Sequence, residues 1–199
     1  GEITPHGFES LGRRCNLGPV DCFADLGSGL GLCTMQAASS FDVRCACGIE
    51  LCMSRHKLAV AAAALASSRV SSRVTFVQGD CADPRFWQPA DALLNGVTVL
   101  YVSSLLFSSE LMSRIAAQIV SSPGGQSIRI VATLKRFRWR ALRRAGFRLR
   151  PASEPCEMSW AASQPVYLYE RPAAVRGGQS TKATTTRFDA ARSRSTGRV

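Results

Sequence analysis

Acidic side chains that follow or precede glycines at the ends of apolar runs are the residues of this chain best suited to chemistry. Asp25-Leu26-Gly27-Ser28-Gly29-Leu30-Gly31 ends the apolar run from Val20 to Leu26 and opens a second apolar segment at Leu32. A strand, a glycine turn and a helix N-terminus in that order present a loop to a ligand, and glycine allows positive φ and close approach of ligand atoms. The spacing is GxGxG. A dinucleotide fingerprint needs glycine at 32, where Leu32 stands. Glu50 closes the run from Arg44 to Ile49, at the interval where a carboxylate accepts hydrogen bonds from ribose hydroxyls. Asp80 follows Gly79 at the end of the run from Arg73 to Gln78, where a carboxylate can meet the amine of a base. Acids at the ends of three successive strands predict a site for a nucleoside-bearing cofactor.

Those groups need a sheet to hold them. Strands are expected at 21–26, 44–49, 74–78, 96–102 and 127–134, with helices over 30–39, 51–68, 109–120 (capped by Ser109) and 136–145 between them. A short helix from Thr4 to Arg14 starts at a threonine cap with Pro5 in first position. Residues 82–95 read as irregular, Ser122-Pro123-Gly124-Gly125 as a turn, and Gly146 as a helix stop. The segments 147–152 and 165–170 read as an antiparallel pair. Alternating strands and helices imply a parallel sheet with right-handed crossovers. The fold class expected is α/β: a Rossmann-like, seven-stranded, mostly parallel sheet with an antiparallel C-terminal hairpin, over residues 1–170. Over residues 171–199 the apolar pattern stops; 175–199 are mostly Gly, Ser, Thr, Ala and Arg with one aromatic, Phe188, and cannot bury enough apolar surface to order themselves. They read as a basic, disordered tail. The chain opens at Gly1-Glu2 without Met and reads as part of a longer protein.

The 199 residues carry a formal charge of +11, which implies an acidic partner such as nucleic acid or an anionic surface. A membrane is the poorer choice, because the longest apolar stretch, Leu58 to Ala66, is far too short to span one. Cations cluster from Lys135 to Arg150, interleaved with Phe137 and Trp139, and continue in the tail from Arg176 to Arg198. Such a pattern suits salt-sensitive phosphate contacts or an acidic protein patch. Cys22, Cys33, Cys45, Cys47, Cys52 and Cys81 sit mostly at apolar strand and helix positions, with no CxxC pair and only His6 and His56 to complete a metal site. They read as buried free thiols in a reducing compartment, with no metal.

Asp25 to Gly31 resembles motif I of the S-adenosylmethionine methyltransferases, and further motifs narrow the resemblance. Gly1-Glu2-Ile3-Thr4 resembles the Y-G-E-[ILT] loop, Gly48-Ile49-Glu50 resembles G-[VI]-E, Gly79-Asp80-Cys81 resembles G-D-F, and Val99 to Ser104 resembles V-I-F-V-N-N. Ser159-Trp160 followed by Pro165-Val166-Tyr167 resembles S-W-x(3)-P-V-x-Y-Y. Together these resemble the disruptor-of-telomeric-silencing histone methyltransferases over roughly residues 1–170. The resemblance implies S-adenosyl-L-methionine as cofactor. It implies cofactor contacts by Gly1, Glu2, Ile3 and Thr4, by Asp25, Leu26, Gly27, Ser28, Gly29, Leu30, Gly31 and Leu32, and by Glu50, Asp80, Cys81 and Ser103. It implies a lysine of the histone H3 core as acceptor, nucleosomes and their DNA phosphates as partners, and the nucleus as location. Trp160 and Tyr167 would line an acceptor channel, with Tyr101 as a third wall. Ser103 stands where the family has Asn, and Cys81 where it has Phe. Counted from Trp160 the channel tyrosine is Tyr167; counted from Pro165 the position falls on Leu168 or Tyr169. With Tyr167 and Tyr169 on one strand, one is expected to face the core, and without the family Trp160 reads equally well as a core anchor.

Methyl transfer from a sulfonium to an amine needs the nitrogen neutral, aligned and shielded from water. An aromatic, desolvated channel favours the neutral amine over its ordinary state near pKa 10.4. An RNA methyltransferase of the same fold is the alternative. The segment Val102-Ser103-Ser104-Leu105 lacks the [DNS]-P-P-[YFW] pattern of base-amine methylation, Pro155-Cys156 lies too late for a Pro-Cys nucleophile, and ribose methylation stays open. A non-catalytic chromatin- or RNA-binding module on a decayed scaffold is a third reading, opposed by intact Glu2, Asp25, Glu50 and Asp80. A nicotinamide oxidoreductase is disfavoured by Leu32.

Overall fold

The computed structural model describes residues 2–88, 92–151 and 155–172, the side chain of Trp139 excepted. In chain order the elements are α1 (Pro5–Arg14), β1 (Cys22–Leu26), α2 (Leu32–Ser40), β2 (Cys45–Glu50), α3 (Met53–Leu65), α4 (Ser68–Ser71), β3 (Val74–Gln78), β4 (Val99–Val102), α5 (Ser109–Ser121), α6 (Pro123–Gln126), β5 (Ile130–Thr133), α7 (Trp139–Arg144), β6 (Arg148–Leu149), β7 (Cys156–Met158), β8 (Ala161–Gln164) and β9 (Tyr167–Glu170). The sheet order is β3-β2-β1-β4-β5-β9-β6. The first five strands are parallel neighbours, and β9 runs antiparallel to both β5 and β6. Strand order reverses between β1 and β4, and a ligand crevice forms at the carboxyl ends of strands on either side of such a switch.

Both faces of the central strands β1, β4 and β5 are covered, so these read as near-continuous apolar runs. Ala24, Leu26, Leu100, Val102, Val131 and Tyr169 pack under α5 and α7 through Met112, Ile115, Ile119 and Leu142. The alternate positions Phe23, Val99, Tyr101, Ile130, Ala132 and Leu168 pack under α1 and α2 through Phe8, Leu11, Cys33 and Ala37. At the end of the sheet away from the crevice, Arg129 donates to both Asp21 carboxylate oxygens (3.0 and 2.8 Å) and to the carbonyls of Cys15 and Asn16 (2.9 Å each). That clamp holds the loop after α1 to the starts of β1 and β5.

Several expectations are refined. The α1 cap holds: the Thr4 hydroxyl accepts from Gly7 N at 3.0 Å. The cap of α5 is Ser108, which accepts from Leu111 N, and Ser109 is the first helical residue. The expected helix over 51–68 breaks after Leu65 into α3 and the single turn α4. Ser122 to Gly125 is not an open turn but the start of the single-turn helix α6, capped by the Ser122 hydroxyl. The hairpin β7–β8 was not expected. Among the cysteines, Cys22 and Cys45 are joined in a disulfide at register-paired positions of β1 and β2, which corrects the reading of them as free thiols. The other six are free, and Cys52 is the one that is not buried. Arg171, assigned to the tail, belongs to the fold: it donates to the carbonyls of Arg129 and Ala145 and lies over the Phe147 ring. The rest of the expected tail, 173–199, lies outside the described residues. Among the described residues no helix is long and apolar enough to cross a membrane.

Candidate active site

The loop after β1 turns through three positive φ values, at Gly27 (82°), Gly29 (55°) and Gly31 (79°). These conformations carry little strain for glycine and considerable strain for larger residues. The turn folds back on β2: Gly27 N and Ser28 N both donate to the Ile49 carbonyl, at 2.9 and 3.1 Å. Gly48 allows this approach, since a Cβ there would meet the Ser28 Cβ at 2.7 Å. Gly31 ends the loop against Phe76, whose ring a Cβ would meet at 2.3 Å.

The loop's remaining donors and the acids converge on one cleft of about 560 Å³ at the carboxyl ends of β1, β2, β3 and β4. Glu50, almost fully buried, accepts from Gly29 N and Cys52 N at 2.8 Å each and pairs with Arg55 at 3.0 Å. Asp80 accepts from Ala82 N at 2.9 Å and pairs with Arg114 at 2.9 Å. Asp25 is 3 % exposed, and its Oδ1 has no hydrogen-bond partner. Burial first, and then the negative charges of Glu2 and Glu50, push its carboxyl up to about 8. Ser28 Oγ is a second buried, unpartnered polar atom on the same wall. A cleft holding the carboxylates of Asp25, Glu2 and Glu50 with an unsatisfied acceptor among them is built for a cation. An amino-acid sulfonium joined to a nucleoside supplies positive charge at that end and ribose hydroxyls at Glu50. The residues present therefore fit S-adenosyl-L-methionine.

The opposite rim is made by the hairpin β7–β8 and the turn after β4. Trp160 lies in the hairpin turn, 41 % exposed, and lines the cleft. The hairpin is fastened to the start of the chain: Ile3 bridges Met158, Thr4 N donates to the Glu157 carbonyl at 3.1 Å, and Glu2 is bonded to Ser159. The turn after β4 brings Ser103, Leu105, Leu106 and Phe107 to the wall, with Leu106 94 % exposed at the mouth. Ser104 next to it faces inward, its hydroxyl 2.8 Å from Thr133 Oγ1 and accepting from Lys135 N. Tyr101 lines the cleft from the floor, buried, its ring edge-on to Phe8. Burial above all pushes its phenol well up.

Of the residues expected at the site, Glu2, Ile3, Asp25, Gly27, Ser28, Gly29, Leu32, Glu50, Asp80, Cys81, Tyr101, Ser103 and Trp160 line this one cleft. Thr4, Leu26, Leu30 and Gly31 do not: Thr4 is spent on the α1 cap, Leu26 is core, and Leu30 and Gly31 shape the turn. Gly1 lies outside the described residues. Tyr167 is also absent from the wall. It packs on the α5–α7 side of the sheet with the Arg136 guanidinium over its ring at 4.8 Å, and Tyr169 shares that side, its hydroxyl accepting from Phe137 N. Residues two apart on a strand share a face, so both tyrosines go the same way. Leu168, the third candidate, is core on the other face. The wall also includes Leu51, Arg55 and Phe107, which the sequence reading missed. Each follows a motif position by a few residues, and that adjacency was the available signal.

The fold and the cleft define a class I S-adenosylmethionine-dependent methyltransferase. Among solved structures the chain is similar to the methyltransferase domain of bacterial CtHen1 (TM-score 0.63, 10 % identity, 84 % of this chain and 97 % of that one). It is similar to TrmN from Thermus thermophilus (0.60, 23 %, 86 % and 50 %) and to M. capricolum TrmK in complex with S-adenosyl-homocysteine (0.59, 10 %, 83 % and 68 %). Within that class the chain belongs to the DOT1 histone methylation protein family, whose model matches residues 1–145. A Caenorhabditis elegans histone-lysine N-methyltransferase, H3 lysine-79 specific, is 29 % identical over 126 residues, 60 % of this chain. The match spans 13 % of that relative's length.

Proposed function

We propose that this chain transfers methyl from S-adenosyl-L-methionine to a lysine of the histone H3 core in nucleosomes, in the nucleus. The observation that carries the reading is the fastening of the Glu2-Ile3-Thr4 segment to the hairpin that holds Trp160, across the mouth of the acid-lined cleft. Both segments carry motifs that resemble the family's, Gly1 to Thr4 within the matched residues 1–145 and Ser159-Trp160 beyond them, and both line the cleft through Glu2, Ile3 and Trp160.

The cofactor supplies the electrophilic methyl group when bound. Asp25 and Glu2 take the cationic amino-acid end, Glu50 the ribose and Asp80 the base. Gly29 N, Cys52 N and Arg55 hold the Glu50 carboxylate in place, and Arg114 holds Asp80. Trp160 and Leu106, exposed at the mouth, would be covered by a docked acceptor and would then shield its amine from water and favour the neutral form. Aromatic faces also accommodate the methylated, cationic product. Exposed cations in the segment 135–150, with those of the tail, would contact DNA phosphates or an acidic histone surface.

The test is transfer from radiolabelled S-adenosylmethionine with nucleosomes, free histones and total RNA offered in parallel. Label on H3 in nucleosomes alone is the expected result. Label on RNA would assign the chain to RNA methylation, and cofactor binding without transfer to any of the three would assign it to a binding role.

A further inference from the structure

A second concavity, about 520 Å³, runs between α5 and α7 on the far side of Phe107, which lines both it and the cofactor cleft. Its floor is mainly apolar, with Met112, Ala116, Ala117 and Val120 from α5 and Ala141 from α7, and Ser109, Ser113 and Ser121 interleaved along α5. The α5 positions that line it, from Ser109 to Ser121, recur at intervals of three and four, so the groove follows one stripe along the whole helix. Thirteen residues of helix extend about 20 Å, the length of three to four turns of a second helix. Small side chains at Ser113, Ala116 and Ala117 let such a helix approach closely.

The rim is of one sign. Among the described residues, Lys135, Arg136, Arg138 and Arg144 line the groove and no carboxylate does. Among the described residues none of these four is ion-paired with an acid: Lys135 donates to the Phe107 carbonyl and Arg136 lies over Tyr167. A polynucleotide would use the cations and leave the apolar floor wet. A peptide helix with an apolar stripe and acidic flanks uses both.

We propose that the α5–α7 groove docks an amphipathic α-helix of a partner protein, its apolar stripe on Ala116 and Ala117 and its Asp or Glu residues on the cationic rim. The partner would then stand beside the acceptor cleft, with Phe107 as the shared wall. This docking is independent of which molecule is methylated.

The test is fluorescence anisotropy on the full 199-residue chain with a dye-labelled synthetic helix. The peptide has Leu at i, i+3, i+4 and i+7 and Glu elsewhere, and a scrambled peptide of the same composition is the control. The patterned peptide is expected to bind at least about tenfold more tightly than the scrambled one. Ala117→Trp, which fills the groove, is expected to remove that preference while leaving S-adenosyl-homocysteine affinity unchanged. Ser113→Trp serves if Ala117→Trp fails to fold, and Arg138→Glu with Arg144→Glu is expected to cost about tenfold. Equal binding of the two peptides, a preference that survives the groove-filling variants, or no binding of either peptide would each overturn the proposal. So would displacement by RNA with equal potency from the parent and from Ala117→Trp, which would mark a plain polyanion surface.

Discussion

Glu2 and Ser159 exchange two hydrogen bonds: Glu2 N–H donates to the Ser159 hydroxyl at 3.0 Å, and Ser159 N–H donates to the Glu2 carbonyl at 2.8 Å. The pair joins segments 157 positions apart and sets where the Glu2 carboxylate and the Trp160 ring stand relative to each other. Ser159→Ala removes one bond and Ser159→Pro removes both. A net bond of about 1 kcal/mol predicts a roughly fivefold loss of cofactor affinity for Ser159→Ala and a larger loss for Ser159→Pro. Calorimetric titration with S-adenosyl-homocysteine checks this, and an unchanged affinity in both variants would show the clamp to be irrelevant to binding.

Asp25 gives a pH signature. Its carboxyl sits at about 8 in the folded protein, from burial first and then Glu2 and Glu50, against 3.8 ordinarily. A raised folded value favours the protonated form, so this stabilising contribution is complete below about pH 4 and is lost as pH rises through about 8. Asp25→Asn abolishes that dependence. Without cofactor, the variant's Tm is expected to exceed the parent's by a margin that grows from about pH 5 to about pH 8 and then levels off. With cofactor, losing a charged acceptor is expected to weaken binding roughly tenfold to a hundredfold. Binding to the parent near neutral pH should release a proton, measurable by calorimetry in buffers of different ionisation enthalpy.

Trp160 is expected to serve transfer more than cofactor binding, since it stands half-exposed at the mouth while Asp25 and Glu50 lie buried in the depth. Trp160→Ala should lower kcat at least about tenfold with a cofactor affinity change under about threefold, and Trp160→Phe should recover part of the rate. Single-turnover kinetics with saturating acceptor separate the two. Equal losses in kcat and in cofactor affinity for Trp160→Ala would place the ring against the cofactor instead.

The Cys22–Cys45 disulfide makes a countable claim. Titration of thiols in denaturant should find six per chain before reduction and all eight after it. The bond closes a loop of 23 positions, for which chain entropy predicts about 3 kcal/mol of stability. Cys22→Ser with Cys45→Ser should lose about that much in denaturant unfolding. Cofactor affinity should hold, because both cysteines lie at strand starts and the cleft forms at strand ends. Eight reactive thiols in unreduced protein would remove the bond from the account.

The parts of the fold that could be read ahead are those with local causes. The GxGxG turn declares itself because few residues other than glycine tolerate its φ values at Gly27, Gly29 and Gly31. The central strands declare themselves because burial on both faces demands unbroken apolar runs. The hairpin β7–β8 had no such cause. Cys156-Glu157-Met158 and Ala161 to Gln164 contain no β-branched or aromatic residue, and the hairpin is secured by its bridge from Met158 to Ile3 at the far end of the chain. The end of the helix expected over 51–68 has no strong local signal: the alanines at 61–64 favour helix and Ala66 would extend it, yet the chain turns extended at Ala66 and Ser67 before α4 begins at Ser68.

By itself the sequence determined the α/β class, the glycine turn and the acids at 25, 50 and 80, since each follows from what a residue and its near neighbours can adopt or bury. Tertiary structure alone decided which aromatics face the cleft. Trp160 reaches it because the Glu2–Ser159 bonds draw the hairpin over the mouth, while Tyr167 turns away because antiparallel pairing with β5 sends its face toward α5 and α7. It also decided that Asp25 would be an unsatisfied acid near pKa 8 rather than a solvated one, because only the assembled sheet buries it beside Glu2 and Glu50. Side-chain direction on a strand is a property of register, and register is set by partners distant in the chain.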